Sequence, residues 1–327
     1  MLSSNEWDTL RHVIVGRADG ARIPRLDISL RTINYSHVQD PADIPRGPYP
    51  AEVIQEANQD LEGLVTFLES QGIQVSRPDL VPHDYYLYCP RDNIVIFDDL
   101  VLESPMALRA RRYESLAFHS TIQQLEGDFR WIRLEARRPD ALYQPNCVGN
   151  PDVLALTEYE AAFDAANILR ANDDVFYLVS NSGNRRGGQV LQELLGPRRR
   201  VWPIEGIYSY MHIDSTIALL REGVMLLNPS RIKDVAQLPP PLRNWDVIWA
   251  PDPGEVWHYP GWCNSSIWAS MNVLSIDPRT VLVEQNQTEL AQRLEAQGFD
   301  CVLLPMRQAR TLGGSFHCVT ADLRRQA

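Results

Sequence analysis

The residues best suited to covalent chemistry lie close to the C-terminus, in the run Gly-Gly-Ser-Phe-His-Cys from Gly313 to Cys318. Its two glycines allow the backbone to approach a ligand closely. Cys318, which follows them, is the strongest candidate for a nucleophile in the chain. Because most cysteines are small buried apolar residues, this interpretation depends on the partners that the rest of the sequence supplies.

A histidine that could serve Cys318 lies far upstream, at His212, two positions before Asp214. On a strand, residues at this spacing share a face, whereas adjacent residues face opposite sides. The same rule separates His317 from Cys318 and predicts a structural role for His317. Cysteine, histidine and an orienting carboxylate are the usual groups of nucleophilic catalysis. For His212 considered alone, a hydrogen-bonded structural histidine is an equally good interpretation.

Two carboxylates, Asp92 and Asp214, indicate the charge of a substrate. Burying them without partners would be costly, and the forked N–H groups of a guanidinium suit a pair of carboxylates. A cationic substrate is therefore a natural partner. For Asp92, which follows Arg91, a surface ion pair or a turn cap is the competing interpretation.

These polar residues stand just before repeated apolar hairpins. Turn residues within alternating apolar segments predict four hairpins, at 94–102, 167–179, 216–227 and 273–283. Self-similarity at a period of roughly fifty residues indicates stacked or radially arranged units. If the units surround a centre, the residues before the strands converge on one pocket, and these residues are Asp92, Asp164, His212 with Asp214, Ser265 with Ser266, and Cys318.

Helices and a long loop complete the units. A strand at Leu10–Val15 is followed by residues 21–50, which show no sustained period and are expected to cover part of the site. An amphipathic helix is predicted over Glu56–Gln71, ended by Gly72. Helical segments are predicted similarly at 190–195, 235–242 and 290–297, each followed by a strand.

Composition excludes some classes of function. A net charge of −11 argues against a general nucleic-acid binder, so the arginine clusters at 109–112 and 198–200 are expected to be solvated. With 44% hydrophobic and 22% charged residues and no long apolar run, the chain does not read as a membrane protein. Its 327 residues fit two domains or one repetitive domain, and the repeats favour one domain over 1–327.

The N-terminus has neither the basic start nor the apolar segment of a secretion signal. The five cysteines lie far apart without CxxC spacing, which suits reduced thiols better than disulfides or a zinc site. We therefore expect a cytoplasmic protein without a bound metal. No Gly-rich phosphate loop and no GxGxxG motif supports a nucleotide cofactor.

The chain resembles the arginine amidinotransferase family, which includes arginine:glycine amidinotransferase and the inosamine-phosphate amidinotransferases of antibiotic biosynthesis. The resemblance covers nearly the whole chain and rests on eight ordered blocks. They are Glu6–Asp8 with Val13–Arg17, Pro90–Asp92, Glu103–Ala107, Phe163–Ala166, Met211–Asp214, Asn228–Arg231, Ser270–Val273, and Gly313–Cys318 with Arg324 and Arg325.

The resemblance implies an α/β fold, namely a fivefold pseudosymmetric α/β propeller (pentein) of ββαβ modules. It also implies a role for each matching residue, and no metal or organic cofactor. Cys318 resembles the nucleophile, His212 the general acid and base, and Asp164 the carboxylate that orients His212. Asp92 and Asp214 resemble the guanidinium-binding pair. Arg231 and Ser266, with Ser265 beside it, resemble the positions that hold the α-carboxylate of the donor.

The implied reaction is a ping-pong transfer. Cys318 takes the amidino group of L-arginine, ornithine leaves, and an acceptor amine then receives the group from the cysteine. Departures from the family pattern at Asn167, Ser315 and Val319 argue against glycine as the acceptor. Tyr85, Tyr86 and Tyr88 are expected on the acceptor side.

Two other functions remain open on the sequence. Water could replace the amine, which would make the chain a guanidino-group hydrolase of the same superfamily. A catalytically silent binding protein on the same fold is the other alternative. The predicted partners are small-molecule substrates, without nucleic acid or membrane, and the family suggests a homodimer.

Overall fold

Seventeen strands and six α-helices lie within residues 2–327, the part of the chain that the computed structural model describes. In chain order the strands are β1 (Thr9–Val15), β2 (Arg22–Ile23), β3 (Gly47–Pro48), β4 (Gln74–Ser76), β5 (Ile94–Phe97), β6 (Leu100–Glu103), β7 (Arg130–Arg133), β8 (Ile168–Ala171), β9 (Asp174–Leu178), β10 (Arg200–Ile204), β11 (Ile217–Arg221), β12 (Val224–Leu227), β13 (Asp246–Trp249), β14 (Leu274–Ser275), β15 (Thr280–Glu284), β16 (Asp300–Leu304) and β17 (Thr320–Gln326). The helices are α1 (Ile28–Ile33), α2 (Ala51–Ser70), α3 (His119–Gln123), α4 (Arg185–Leu195), α5 (Thr288–Glu295) and α6 (Ala309–Leu312).

Fifteen of these strands form five three-stranded sheets of one design. In each sheet a central strand pairs antiparallel with one neighbour and parallel with the other. The sheets are β17-β1-β4, β5-β6-β7, β8-β9-β10, β11-β12-β13 and β14-β15-β16, here called sheets 1 to 5. The four predicted hairpins are confirmed as the antiparallel pairs of sheets 2 to 5.

Sheet 1 is assembled from the two ends of the chain. β1 pairs antiparallel with β17, from Thr9 opposite Gln326 to Val15 opposite Thr320, and parallel with β4. Sequence patterns predicted β1 and a strand after Cys318, but not that these two strands pair. A strand whose partner lies at the far end of the chain has no adjacent turn to mark the pairing.

The sheets contact one another in a closed cycle. β17 of sheet 1 contacts β5 of sheet 2, β5 contacts the turn before β8, β8 contacts β11, and β11 contacts β14. The Leu10 N–H of β1 donates to the Ile276 carbonyl beside sheet 5, at 2.7 Å, and so completes the cycle. The polar segments before the first strands of the sheets are thereby brought toward a common centre.

Along the chain, α1 to α5 lie between the central and third strands of a sheet, whereas α6 lies between β16 of sheet 5 and β17 of sheet 1. α2 begins at Ala51, earlier than predicted, and buries Leu61, Leu64 and Leu68 of the predicted stripe. α4 begins at Arg185, where Asn184 caps it by accepting the Gly187 N–H. This start was not predicted, because two glycines, which disfavour helix, lie in its first turns. The predicted helix at 235–242 is instead a pair of 3-10 turns, because prolines interrupt it.

Buried ion pairs join the first and last segments of the chain to sheets 2 and 3. Arg170 contacts Glu6 and Asp322, and Arg91 contacts the same two carboxylates. All four side chains are almost completely buried. Removing one partner would leave an uncompensated buried charge, so these pairs hold the segments in fixed positions.

Across residues 2–327, none of the helices combines the length and the apolar content that crossing a bilayer requires.

Candidate active site

Except for Arg231, which follows β12, the predicted site residues lie in the irregular segments that lead into the first strand of a sheet. Asp92 belongs to a 3-10 turn before β5, Asp164 directly precedes the turn before β8, and Ser266 caps the turn before β14. His212 and Asp214 precede β11, and Cys318 lies in a turn before β17. The contacts below show which of these side chains meet.

The nucleophile candidate is held by a tight turn. Phe316–Val319 is a turn and not a strand, and the Asn272 side-chain oxygen accepts the N–H groups of Ser315 and Cys318, both at 3.0 Å. A Cβ atom on Gly314 would lie 2.2 Å from the Cys318 Cβ and 2.6 Å from its Sγ. Glycine is therefore required here so that the thiol itself has room, which is a stricter demand than the predicted approach of a ligand.

The Cys318 thiol faces a carboxylate and a second thiol. Its Sγ lies 3.1 Å from Asp214 Oδ2, and only 4% of the residue is exposed. The hydrogen bond with the Cys89 thiol, burial, and the negative charges of Asp214 and Asp92 together raise the pKa of Cys318 well above its ordinary value. This environment therefore favours the thiol form of Cys318 over the thiolate.

His212 lies between two carboxylates. Its Nε2 is 3.0 Å from Asp164 Oδ2, and its Nδ1 is 3.5 Å from Asp92 Oδ1. Burial opposes the charged form, but the nearby carboxylates, Asp92 foremost and Asp164 through its hydrogen bond, outweigh it and raise the pKa of His212 to about 9. The imidazole is therefore protonated at neutral pH and can act first as an acid.

Asp92 has a partner that the sequence did not indicate. Arg111 Nη1 donates to Asp92 Oδ2 at 2.6 Å, and Arg111 Nε donates to Glu114. The neighbouring Arg91 contacts Glu6 and Asp322 instead, so the alternative of an Arg91–Asp92 surface pair is wrong. The prediction that the arginine clusters are solvated is also wrong for Arg111 and Arg199, which are buried.

Two buried carboxylate oxygens near His212 have no hydrogen-bond partner among residues 2–327. They are Asp92 Oδ1 and Asp164 Oδ1. A buried acceptor is normally satisfied, so both oxygens are available to N–H donors of a bound cation.

His317 approaches the nucleophile through Asp214. Its Nδ1 lies 3.0 Å from Asp214 Oδ2, the oxygen that the Cys318 thiol also contacts. The prediction that His317 and Cys318 face opposite sides of a strand is wrong, because these residues form a turn. His212 and Asp214 line the same pocket as predicted, although they too lie outside a strand.

The pocket beside Cys318 is lined by polar and aromatic side chains. They include His212, Asp214, Asn264, Ser265, Ser266, Tyr208 and Tyr210. The Ser265 hydroxyl is buried without a hydrogen-bond partner among the described residues.

Arg231 lies behind this pocket wall. Its guanidinium stacks on the Tyr208 ring at 3.5 Å, and it donates to the Ser215 carbonyl and hydroxyl, Thr216 Oγ1 and Ser266 Oγ. The predicted pair of Arg231 and Ser266 is thus in contact, at 3.2 Å. Ser266 is the member of the pair that reaches the pocket surface.

The long loop between β1 and α2 does cover part of the site, as predicted. The Tyr35 hydroxyl donates to Asn264 Oδ1 at 2.9 Å, and the Tyr210 hydroxyl contacts the Asn34 carbonyl. The expectation that Tyr85, Tyr86 and Tyr88 line the acceptor side is wrong. They are buried, and the Tyr88 hydroxyl donates to the Gly314 carbonyl within the core.

Sequence reasoning gave no role to three residues that shape the site, Asn272, Arg111 and Cys89. Asn272 stands in one of the family-like blocks, which was the available signal for it. Arg111 had none, because a cluster of arginines is usually solvated. Cys89 directly precedes the Pro-Arg-Asp block, but its contact with Cys318 depends on tertiary structure alone.

The chain is similar over its whole length to amidinotransferases. It is 39% identical to inosamine-phosphate amidinotransferase 1 of Streptomyces glaucescens, across 98% of this chain and 95% of that protein. It is 31% identical to the L-arginine:L-lysine amidinotransferase of Pseudomonas savastanoi pv. phaseolicola, across 99% of this chain and 94% of that protein. No protein-family model matches the sequence.

Comparison with solved structures gives the same family as comparison of the sequences. The inosamine-phosphate amidinotransferase StrB1 of Streptomyces griseus superposes with a TM-score of 0.94 at 37% identity, covering 100% of this chain and 97% of that one. A dimethylarginine dimethylaminohydrolase of Pseudomonas aeruginosa, at 14% identity, shares the α/β pentein fold alone, with a TM-score of 0.61. The length and level of these similarities show that the chain belongs to the amidinotransferase family.

Proposed function

We propose that the chain transfers the amidino group of L-arginine to a primary amine through an amidino-cysteine on Cys318, with release of ornithine. One observation carries this proposal. The Cys318 thiol contacts the Asp214 carboxylate in a pocket that also presents His212, itself held between Asp164 and Asp92.

The charges of the pocket suit a guanidinium donor. Asp92 Oδ1 and Asp164 Oδ1 are buried acceptors without partners among residues 2–327, and Asp214 lies against the thiol. A guanidinium offers planar N–H groups to such carboxylates. The hydroxyls of Ser265 and Ser266, with Arg231 behind them, are placed to receive the α-carboxylate of arginine.

Arginine binding also supplies the activation of the nucleophile. The pKa of Cys318 is high because the thiol lies beside Cys89, is buried and faces negative charge. A bound guanidinium neutralises part of that negative charge and so favours the thiolate. The thiol proton is released to solvent as arginine binds, and Asp214, whose Oδ2 contacts Sγ, stays ionised.

Two half-reactions follow. The thiolate attacks the guanidinium carbon, the bond from that carbon to the ornithine nitrogen breaks, and protonated His212 gives its proton to the departing amine. The acceptor amine then attacks the amidino carbon and transfers a proton to neutral His212. The carbon–sulfur bond breaks, and the Cys318 thiolate is restored.

For the acceptor, we propose an amine of secondary-metabolite biosynthesis, with an inosamine phosphate as the first compound to assay. The similarity to two inosamine-phosphate amidinotransferases supports this choice. Tyr208 and Tyr210, which line the pocket, provide ring faces for a hydroxylated substrate.

We further propose that the five sheets form a fivefold pseudosymmetric propeller around this pocket. The shared sheet design and the closed cycle of contacts support the arrangement.

The experiment for the proposed function uses isotopically labelled arginine with and without a panel of amine acceptors. We expect labelled guanidino product and ornithine when the correct amine is present. Citrulline with ammonia, or urea with ornithine, formed without an amine would instead indicate a hydrolase and contradict transfer.

A further inference from the structure

His317 is a buried titratable residue that the proposed reaction does not use. Its Nδ1 lies 3.0 Å from Asp214 Oδ2, and its Nε2 lies 3.6 Å from Glu6 Oε2. Only 7% of the residue is exposed, and it does not line the pocket beside Cys318. Two carboxylates therefore flank one imidazole on the side of Asp214 away from the substrate pocket.

The geometry favours a protonated ring. Nδ1 needs a hydrogen to bond Asp214, and a lone pair on Nε2 would face the Glu6 carboxylate and be repelled by it. Glu6 is kept ionised by Arg170, whose Nε lies 2.8 Å from Glu6 Oε1. Arg91, another charged neighbour, donates to the His317 carbonyl and not to its ring.

The charge on His317 acts on the nucleophile through a shared atom. Asp214 Oδ2 accepts from His317 and from the Cys318 thiol, at 3.0 and 3.1 Å. Although burial opposes ionisation, the hydrogen bond and charge of His317 hold the pKa of Asp214 well below its ordinary value. Without the imidazolium, Asp214 would place its negative charge beside the sulfur without compensation.

We propose that His317 is a positioning residue whose imidazolium fixes Asp214 against the Cys318 thiol and offsets its negative charge, so that a thiolate can form when arginine binds. The inference rests on the proposed function for its catalytic consequence. Its effect on thiol ionisation does not depend on amidino transfer. His317 itself touches neither the pocket nor the reacting atoms.

The test compares His317→Gln with His119→Gln. His119 is a matched control, because its Nε2 also lies 3.0 Å from a buried carboxylate, Glu103 Oε1, in sheet 2. Alkylation of Cys318 by iodoacetamide is followed against pH by peptide mass spectrometry, which separates it from the exposed Cys263. Melting temperature, kcat and KM for arginine are measured alongside.

We expect His317→Gln to move the midpoint of Cys318 alkylation upward by about one pH unit, which is about a tenfold loss of thiolate at a fixed pH below the midpoint. The kcat should fall by about tenfold or more. His119→Gln should change only the melting temperature. Wild-type alkylation and kcat in His317→Gln, with a lowered melting temperature alone, would overturn the proposal.

If amidino transfer itself is not found, the alkylation midpoints still decide the role of His317. A measurement on protein with His317 intact covers the case in which His317→Gln fails to fold. In ¹⁵N spectra, the double variant His212→Asn with His119→Gln should keep one histidine ring whose Nδ1–H is hydrogen-bonded to a carboxylate, the bond from His317 to Asp214. Absence of any such ring would overturn the proposal.

Discussion

Two histidines on opposite sides of Asp214 and Cys318 have nearly the same local chemistry but different access to the pocket. His212 lies between Asp164 and Asp92, and His317 lies between Asp214 and Glu6. Asp92 is paired with Arg111 much as Glu6 is paired with Arg170, but the His212 ring lines the pocket and the His317 ring does not. His212 can thus exchange a proton with a bound substrate, and His317 can act only through Asp214.

The comparison teaches that a histidine beside carboxylates is not by itself an acid or base. Its role depends on whether the ring lines the pocket. Substitutions of Cys318, of His212 and of the residues that position them should distinguish their contributions.

The largest effect is expected for the nucleophile that both histidines serve. Cys318→Ala should reduce ornithine formation by about 10⁴-fold or more, because no other group in the pocket can carry the amidino group. The control is Cys263→Ala, which removes an exposed thiol. It should keep wild-type activity, and activity that survives Cys318→Ala would exclude this cysteine as the nucleophile.

The next largest effect is expected from replacing His212, the histidine that lines the pocket. His212→Asn should lower kcat by about 10³-fold, since it removes the proton donor to the ornithine nitrogen. KM for arginine should change much less. A loss no larger than that of His317→Gln would contradict the division of roles between the two histidines.

A smaller loss is expected from displacing the thiol without changing any ionisable group. Gly314→Ala places a Cβ 2.6 Å from Sγ and should reduce kcat by about a hundredfold. Gly298→Ala is the matched control, because Gly298 has φ +82° but open space around it. It should cost about 1–2 kcal/mol of stability, seen in denaturant unfolding, and leave kcat unchanged.

The smallest effect is a pH dependence of stability. The pKa of His212 rises from 6.5 to about 9 on folding, so its ion pairs contribute fully below about pH 6.5 and are lost as pH rises through about 9. Between these limits the free energy of unfolding should fall more steeply with pH in the wild type than in His212→Asn. If the two free energies of unfolding fell in parallel with pH, the ion pairs of His212 would not contribute to the pH dependence of stability.

The sequence predicted the parts of the fold that depend on local patterns. The four hairpins and the glycines that end α2 and α5 follow from residues close together in the chain. The pairing of β17 could not be predicted in this way, because its partner is β1 at the other end. The fivefold repeat and the resemblance together indicated where Asp92, Asp164, His212 and Cys318 would lie.

Charge pairing in the site could not be read from the sequence. Arg111 stands in an arginine cluster typical of a solvated surface, yet it is buried on Asp92. Strand alternation predicted the relation between His317 and Cys318 wrongly, because the turn at 316–319 lets both reach one oxygen of Asp214. Such contacts depend on where five distant segments meet.

The central claim, covalent transfer through Cys318, is tested most directly by mass spectrometry of the protein after incubation with arginine and no acceptor. The account predicts a mass increase of one amidino group, located on the Cys318 peptide, together with ornithine equal in amount to the modified chain. Addition of the correct amine should remove the adduct. An unmodified Cys318 in protein that is turning over arginine, or an adduct on another residue, would contradict the account.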